Sequence, residues 1–204
     1  MITTIVVDWG GVINMVGHAS SMSKQIQEKY DLPYMSIIEA IVPLWKKLNR
    51  NLVNFEELRV GLNEKLNLDI SMKELTGYLN NSFKLNLEVI ELLGKLKREY
   101  FLIMLSNNND SLVNSIEKNH PEVFNLFEKH YFSSELDLRK PDERIFLHFL
   151  EDTKLNAKEC LFIDDTEENI VACKKLGMKG IVYKDVDQLK RELAKLNITL
   201  DQND

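Results

Sequence analysis

The sequence predicts an α/β protein with a doubly wound parallel sheet and an inserted all-helical domain. Three observations lead to this prediction: short runs of continuous apolar residues, helical patterns between them, and one long helical block that interrupts the alternation. Continuous apolar runs are typical of strands buried on both faces of a parallel sheet. Alternation with helices places those helices on the two faces. At 204 residues, the chain fits one large domain or one domain that carries an insertion.

The predicted strands begin near the amino terminus and resume at residue 101. Their sequences are ITTIVV at 2–7, FLIML at 101–105, CLFI at 160–163 and GIVY at 180–183, with a weaker strand, HYFSS, at 130–134. Because the runs are apolar along most of their length, we expect them to lie in one sheet that helices cover on both sides.

Amphipathic patterns between the strands predict the covering helices. Asn86 and Thr166 stand where helix caps are expected, and Pro141 stands at an expected first helical position. Gly177 follows the TEENIVACKKL pattern and is a typical helix end. The apolar positions that fall on one face of these helices are Val89, Leu92, Leu93 and Leu96; Ile145, Phe149 and Leu150; and Val186, Leu189, Leu193 and Leu196.

Residues 14–84 contain helical patterns only. These patterns cover approximately 20–30, 34–48, 54–67 and 71–81. We therefore predict a core domain made of residues 1–13 and 85–204, with a helical cap domain at 14–84. Ligand sites in open parallel sheets lie at the carboxyl ends of the strands. A helical block inserted directly after the first strand should cover such a site as a lid.

Composition narrows the possible settings and partners. A formal net charge of −6 and a pI near 5.4, with no Lys/Arg-rich run, argue against a nucleic-acid partner. No apolar stretch approaches the ~20 residues needed to span a bilayer, and Asp8 interrupts any signal-peptide pattern. Cys160 and Cys173 are expected to be buried reduced thiols in a cytoplasmic protein, the alternative being a disulfide or a two-thiol metal site. The oligomeric state stays open.

Polar residues follow three of the predicted strands and precede one helix. They are Asp8 after the first strand, Ser106 and Asn107 after the second, Asp164 and Asp165 after the CLFI strand, and Lys140 just before Pro141. The predicted fold gathers them in one crevice, where unpaired carboxylates repel each other. A hard divalent cation relieves that repulsion, and Mg²⁺ favours one or two carboxylates together with waters and phosphate oxygens.

These residues resemble the motifs of a known family. DxxG after the first strand, LSN after the second, RKP before a helix and FIDDxxxN after the CLFI strand resemble motifs one to four of the haloacid dehalogenase (HAD) superfamily. The fold implied is a Rossmann-like HAD core, and the insertion resembles the C1-type helical cap of its subfamily I. LSNNND and SSELDLRKPDERIF are similar to stretches of bacterial sugar-1-phosphate phosphatases, whose first motif reads D-x-G-N-V.

The resemblance implies a phosphatase that acts on a small phosphorylated metabolite. Asp8 would be the nucleophile that forms an aspartyl-phosphate. Ser106 would hold the phosphate, and Lys140 would pair with the nucleophile and the transferred group. Further phosphate contacts would come from Gly10, Gly11, Asn107 and Asn108.

The resemblance also implies a Mg²⁺ site. Asp165 would bind the ion directly, together with Asp8 and the backbone carbonyl of Gly10. Asp164 would lie beside these ligands, and Asn169, one helical turn further on, would orient the acidic pair.

One position departs from the family pattern. Most phosphatases of the superfamily carry a second Asp two residues after the nucleophile, as general acid and base, and this chain has Gly10 there. The enzyme is then expected to favour leaving groups that need little protonation, such as an anomeric sugar oxygen. The alternative is that another group, such as His18 or a water on the metal, supplies the proton.

Other interpretations stay open at this stage. A 2-haloacid dehalogenase would share the Asp nucleophile, attack carbon and need no metal, but such relatives typically have D-x-Y-G-T first motifs. A third class is a non-catalytic binding protein on the same scaffold. Ser106 to Asn109 could also form only turns and a helix cap, and the glycine pair could serve only the turn into the cap.

Substrate choice is expected to depend on the cap segment PLWKKLNRN. It combines an aromatic side chain with Lys46, Lys47, Asn49 and Arg50, which could point polar groups at a phosphorylated metabolite. The plainer alternative is a helix end with a solvated basic face, with Trp45 in the core of the cap.

Overall fold

The computed structural model, which describes residues 1–198, has a five-stranded parallel sheet at its centre. The strands lie in the order β3-β2-β1-β4-β5. Their bounds are β1 (Thr4–Val7), β2 (Phe101–Ser106), β3 (Lys129–Phe132), β4 (Cys160–Asp164) and β5 (Lys179–Val182). The strand order reverses direction beside β1, and such a switch point opens a crevice at the carboxyl ends of the strands. The predicted doubly wound sheet is therefore confirmed.

Alternate residues of the central strands point to opposite faces of the sheet, as the strand period requires. Ile5 and Val7 belong to an apolar core that includes side chains of the helices after β1, whereas Val6 belongs to a second core on the other face. All three side chains are fully buried. Burial on both faces explains why β1 is a continuous apolar run.

Helices fill both faces and form the insertion. The helices of the insertion are α1 (His18–Tyr30), α2 (Tyr34–Leu48), α3 (Phe55–Leu66) and α4 (Met72–Asn80). The others are α5 (Leu87–Leu96), α6 (Asp110–Asn119), α7 (Pro121–Phe124), α8 (Ser133–Leu136), α9 (Glu143–Thr153), α10 (Glu167–Lys175) and α11 (Val186–Lys195), with a 3₁₀ helix at Ala157–Glu159. Helices α5, α6 and α11 pack on one face, and α9 and α10 pack on the other.

Helices α1 to α4 pack against one another between β1 and α5, as the helical block predicts. The two connections to the sheet run side by side: Met15 N donates to Lys84 O at 2.9 Å, and Asn86 N donates to Ile13 O at 2.8 Å. Asn14 Oδ1 also accepts from Lys84 N at 2.7 Å. The domain boundaries at 13/14 and 84/85 fall within this paired segment and stay a prediction.

Two predicted element bounds are wrong. The HYFSS strand ends at Phe132, and the two serines that follow begin α8. Pro141 is not the first helical residue, because α9 begins at Glu143 with Asp142 as its N-cap. The Asp142 carboxylate accepts from Arg144 N at 3.0 Å and so satisfies a free amide of the first turn, which a proline cannot do.

The PLWKKLNRN segment ends α2 and begins the connection to α3, in agreement with the helix predicted over 34–48. Its first six residues lie inside α2, which ends at Leu48, so only Asn49 onwards forms the connection to α3. Trp45 is buried in the cap core, as the plainer interpretation expects. Cys160 and Cys173 are free and buried, on β4 and α10. Among residues 1–198, no helix combines the length and the apolar character needed to cross a membrane.

Candidate active site

The site lies where β1, β2 and β4 end at the same edge of the sheet. β1 pairs with β2 on one side and with β4 on the other. Asp8 follows the last residue of β1, Ser106 ends β2 and Asp164 ends β4. The main chain holds this junction together, because Asp8 N donates to Ile163 O at 3.0 Å. The sheet therefore brings together the three side chains that the sequence places at strand ends.

The Asp8 carboxylate is bound through one oxygen. Its Oδ1 accepts from the backbone N–H of Trp9 at 2.7 Å and from Ser106 Oγ at 2.7 Å, and it pairs with Lys140 Nζ at 2.8 Å. Its Oδ2 accepts no hydrogen bond from residues 1–198. Asp8 is 8% exposed, so the free oxygen belongs to a carboxylate that is fixed in place and largely shielded from water.

Lys140 forms ion pairs with the carboxylates of Asp8 and Asp164, at the ends of β1 and β4. Its Nζ lies 2.8 Å from Asp8 Oδ1 and 2.6 Å from Asp164 Oδ2, and the residue is 2% exposed. The Asn107 amide fixes the main chain of Lys140: Asn107 Oδ1 accepts from Lys140 N and Nδ2 donates to Lys140 O, each at 2.9 Å. The Asn107 side chain thus binds the backbone of Lys140, and the contact of Asn107 with phosphate stays a prediction.

Asp164 is fully buried, and both of its carboxylate oxygens accept hydrogen bonds. Its Oδ1 accepts from the backbone N–H of Thr166 at 2.8 Å, and both oxygens accept from Asn169 Nδ2 at 3.0 Å. Its Oδ2 also binds the Lys140 ammonium. Asn169 therefore orients Asp164, and among residues 1–198 no hydrogen bond joins it to Asp165, the other member of the acidic pair. Thr166 is the N-cap residue of α10, but its side chain makes no capping bond.

Burial raises the pKa of Asp8 to about 6, against its ordinary value of 3.8. The Lys140 charge opposes this rise, and the Asp164 carboxylate adds to it through repulsion between like charges. One cation is thus shared by two buried carboxylates. A further positive charge at this edge would favour the ionised form of Asp8, which is the form that can act as a nucleophile.

Asp165 completes a cluster of acids that fits a divalent cation. Ligand atoms of Asp8, Asp164 and Asp165 all lie within 4.8 Å of one another. Asp165 is exposed, and its side-chain bond among residues 1–198 is a long one, from Thr166 Oγ1 at 3.4 Å. The pKa of Asp165 is raised by desolvation and then by the Asp164 charge. Two carboxylates with free oxygens beside one open edge are the donor set that Mg²⁺ prefers.

Gly11 makes room for that acid. Its φ of 75° lies in the left-handed region, which glycine adopts without strain. A Cβ added at Gly11 would overlap the carboxylate of Asp165. Gly10 is different, because a Cβ added there meets no atom within 4 Å. Gly11 therefore allows a turn and lets Asp165 approach β1, and contact of Gly10 and Gly11 with phosphate stays a prediction.

The remaining predicted phosphate contact, Asn108, is buried with an unpartnered donor. Asn108 is 5% exposed, and its Nδ2 has no hydrogen-bond partner among residues 1–198. Asn109 follows as the N-cap of α6, with its Oδ1 accepting from Leu112 N at 3.0 Å. An unsatisfied amide before the positive end of a helix is suited to an anion. The LSNNND segment thus supplies both a helix cap, Asn109, and a hydrogen-bond donor without a partner among residues 1–198, Asn108 Nδ2.

His18 makes its hydrogen bonds at the base of the cap and none with this cluster among residues 1–198. Its Nδ1 lies 2.6 Å from Ser82 Oγ, and its Nε2 lies 3.3 Å from Asn14 Nδ2. Since the amide nitrogen only donates, Nε2 accepts and Nδ1 carries the proton. Burial lowers the pKa of His18 to about 4. The ring is therefore neutral and joins the two connections between cap and sheet.

Some residues of the site were not predicted from the sequence. The backbone N–H of Trp9 binds Asp8, and backbone groups carry no sequence signal. The cap loop reaches the core through Asn49 Oδ1, which accepts from Asn109 Nδ2 at 2.8 Å, and Asn51 Nδ2, which donates to Ser134 O at 2.9 Å. Asn49, a candidate substrate contact, thus closes the cap onto the core, and its contact with a substrate stays a prediction.

Comparisons with known proteins match this architecture. A family model for haloacid dehalogenase-like hydrolases matches residues 2–177. A sesquiterpene phosphatase from Aspergillus oryzae is 34% identical over 85 residues, which are 37% of this chain and 43% of that protein. The chain spans less than half the length of the curated relatives it matches.

Solved structures extend the match over nearly the whole chain. A HAD family enzyme from Bacteroides thetaiotaomicron, in complex with magnesium and inorganic phosphate, is 26% identical with a TM-score of 0.73, covering 93% of this chain and 99% of that one. An L-2-haloacid dehalogenase from Xanthobacter autotrophicus is 17% identical with a TM-score of 0.66, covering 98% of this chain and 85% of that one. At that identity, the second likeness concerns the fold alone.

Proposed function

The chain belongs to the haloacid dehalogenase-like hydrolase family, and on that premise we propose that it is a magnesium-dependent phosphatase. The substrate is a small phosphorylated metabolite, and a sugar phosphate is the first class to test. The reaction proceeds through an aspartyl-phosphate on Asp8. The sesquiterpene phosphatase and the magnesium–phosphate complex of the Bacteroides enzyme support a phosphate ester as substrate.

The arrangement of the Asp8 carboxylate is the observation that carries the proposal. Three donors, including Ser106 and Lys140, hold Oδ1, while Oδ2 accepts no hydrogen bond from residues 1–198. A carboxylate that only ended a strand would be solvated or would have both oxygens satisfied. A fixed and shielded carboxylate with one free oxygen is suited to nucleophilic attack, because little reorganisation precedes the reaction.

The chemistry then takes two displacements at phosphorus. A carboxylate oxygen of Asp8 attacks the phosphorus atom, and the bond to the ester oxygen of the substrate breaks. The leaving oxygen takes a proton from water and departs as the alcohol. Water then attacks the phosphorus of the aspartyl-phosphate, which frees inorganic phosphate and restores Asp8. Lys140 stays within ion-pair distance of Asp8 and offsets negative charge in both steps.

The acids at this edge fit a magnesium ion. Asp8 and Asp165 would hold it with the Gly10 carbonyl, and Asp164 would stay bound to Lys140 and Asn169. The ion, when bound, would supply positive charge that neutralises phosphoryl oxygens. Asn108 Nδ2, which is buried without a partner, is available to donate to one of those oxygens.

A metal-independent 2-haloacid dehalogenase is the second candidate. The fold is compatible with it. A dehalogenase needs no cation, however, and the close approach of Asp165 to the sheet, which requires glycine at position 11, then has no purpose. A binding protein without catalysis is the third candidate, and the free oxygen of Asp8 argues against it.

Phosphate release from a broad panel of phosphate esters separates the three candidates. We expect hydrolysis with Mg²⁺, its loss in EDTA, and its return when Mg²⁺ is added in excess. Release of halide from haloacids that is unchanged by EDTA would establish the dehalogenase instead. A folded protein that is inactive on both panels would contradict both enzymatic candidates.

A further inference from the structure

Lys140 carries its ammonium group on a stretch of chain that belongs to no helix or strand. Helix α8 ends at Leu136 and α9 begins at Glu143, and the backbone between them is irregular. A lysine side chain is a flexible four-carbon stem with a point charge at its end. The position of that charge therefore depends on how firmly the backbone of Lys140 is fixed.

The side-chain amide of Asn107 fixes this backbone through both of its polar groups. Lys140 N donates to Asn107 Oδ1, and Asn107 Nδ2 donates to Lys140 O, each at 2.9 Å. Within residues 1–198, these are the hydrogen bonds that the two backbone groups of Lys140 make. The two bonds together hold both the place and the orientation of the residue from which the stem begins.

Asn107 directly follows β2, and the residue before it binds the nucleophile. Ser106 Oγ donates to Asp8 Oδ1 at 2.7 Å, and the strand that Ser106 ends is paired with β1 on one side and with β3 on the other. One strand end thus holds the carboxylate of Asp8 through Ser106 and the backbone of Lys140 through Asn107. The separation between the nucleophile and its cation is therefore set from one rigid part of the sheet.

The ammonium group at the other end of Lys140 is shared between two acids. Its Nζ lies 2.8 Å from Asp8 Oδ1, 2.6 Å from Asp164 Oδ2 and 5.2 Å from the centre of the Phe162 ring. Asp164 and Phe162 both belong to β4, so most of these contacts draw the cation toward that strand. Because Coulomb attraction falls with distance, a backbone that could shift toward β4 would weaken the attraction between Lys140 and Asp8.

We propose that Asn107 is a positioning residue, whose amide keeps the ammonium group of Lys140 beside Asp8 while the phosphoryl group is transferred. This inference rests on the proposed phosphatase function and assigns Asn107 a role that it performs through Lys140. Lys140 offsets the negative charge that develops during transfer, so the position of its charge matters most in the transition state. Loss of the Asn107 amide should therefore lower kcat and leave KM nearly unchanged.

Asn63 offers a matched control, because it makes the same pair of bonds elsewhere in the protein. In the cap, Asn63 Nδ2 donates to Ile70 O at 3.0 Å, and Asn63 Oδ1 accepts from Ile70 N at 2.8 Å. Both asparagines are half-buried. Asn107→Ala should lower kcat about ten- to a hundredfold, with less than about threefold change in KM, because two hydrogen bonds to the segment of Lys140 are lost. Asn63→Ala loses an equivalent pair of bonds and should change neither value.

The reaction of Lys140 with acetic anhydride, followed by mass spectrometry, gives a readout without turnover. Lys140 is 2% exposed and its ammonium group forms two ion pairs, so its acetylation should be slow. Asn107→Ala should speed acetylation of Lys140 about tenfold or more, because the segment opens more often. Asn63→Ala should leave that rate unchanged, and the exposed Lys158 should react at one rate in all three proteins.

A second variant covers the case in which Asn107→Ala does not fold. Asn107→Gln carries the same amide one methylene further from β2, and it should change kcat and acetylation in the same direction. An unchanged kcat in folded variants, a loss that appears in KM alone, as a direct phosphate contact would give, or acetylation of Lys140 at the natural rate would each overturn the proposal. If no ester is hydrolysed, the proposed function fails; faster acetylation of Lys140 then still supports the role of Asn107 in holding it, whereas unchanged acetylation overturns that role.

Discussion

Replacing Gly10 by Asp should place a proton donor two residues after Asp8. A Cβ at this position meets no atom within 4 Å, and the position is exposed. The backbone there is outside the left-handed region, so a side chain introduces no conformational strain. The new carboxyl would stand two residues after Asp8 at the open edge of the site.

The size of the effect follows from general acid catalysis. A positioned acid contributes about 10²–10⁴-fold in rate, which corresponds to about 3–5.5 kcal/mol of barrier at about 1.4 kcal/mol per tenfold. The neighbouring acids of the cluster, Asp8 and Asp165, would raise the pKa of the new carboxyl by repulsion and keep a larger share of it protonated near neutral pH. The gain should appear only for leaving groups that need a proton.

The assay compares phosphate esters whose leaving alcohols cover a wide range of pKa. For the natural sequence, log kcat/KM should fall steeply as the leaving-group pKa rises. Gly10→Asp should flatten that dependence by accelerating the poor leaving groups. Gly10→Asn, which has the same size and no acidic proton, should keep the steep dependence.

A flat dependence in the natural sequence would refute this reasoning, because it would mean that a proton donor is already present. A flat dependence that becomes steep in His18→Ala would identify the imidazole as that donor. The geometry argues against this, since both ring nitrogens of His18 are bound within the base of the cap.

Three further predictions follow from the same geometry. Gly11→Ala should raise the Mg²⁺ concentration for half-maximal rate, because the new Cβ overlaps Asp165 and the positive φ costs about 1–2 kcal/mol, whereas Gly10→Ala, which meets no atom, should not. In a Mg²⁺ titration, Asp165→Ala should raise the half-maximal concentration far more than Asp164→Ala does, and the reverse order would reassign the ligand. Asp164→Ala should instead lower the free energy of unfolding by about 3 kcal/mol, because it breaks a buried ion pair. The pKa of His18 in the folded protein, about 4, lies below its ordinary 6.5, so the unfolded state binds more protons and stability falls as the pH drops through this range. Between pH 7 and pH 4.5, urea unfolding should show a loss in free energy of unfolding about 2–3 kcal/mol larger than in His18→Gln. Equal losses in the two proteins would contradict a buried neutral ring.

The fold was largely predictable because its strongest signals are local. Both faces of β1, β2 and β4 are covered, so these strands read as unbroken apolar runs, and the helices of the insertion carry their own stripes and caps. The errors arose where local signals compete. Ser133 and Ser134 directly follow an apolar strand in the sequence, but they begin α8. Pro141 is a typical first helical residue, but Asp142 can cap the helix with its side chain, and α9 begins after it.

The site was predictable to the level of which residues meet, and less so in what each one contacts. Parallel strands end at one edge, so Asp8, Ser106 and Asp164 had to come together. The bonds of Asn107 to the Lys140 backbone join segments 33 positions apart, and no local pattern encodes such a pairing.

The most direct test of the account is to find the phosphoryl group on Asp8. A substrate that is hydrolysed in the panel is mixed with enzyme and Mg²⁺ and quenched in acid within one turnover, and the peptides are analysed by mass spectrometry. We expect the mass of one phosphoryl group on the peptide that contains Asp8, sensitive to hydroxylamine as an acyl phosphate should be, and no label in Asp8→Asn, which should fold and be inactive. Hydrolysis that continues in folded Asp8→Asn, or a label on any other residue, would contradict the account.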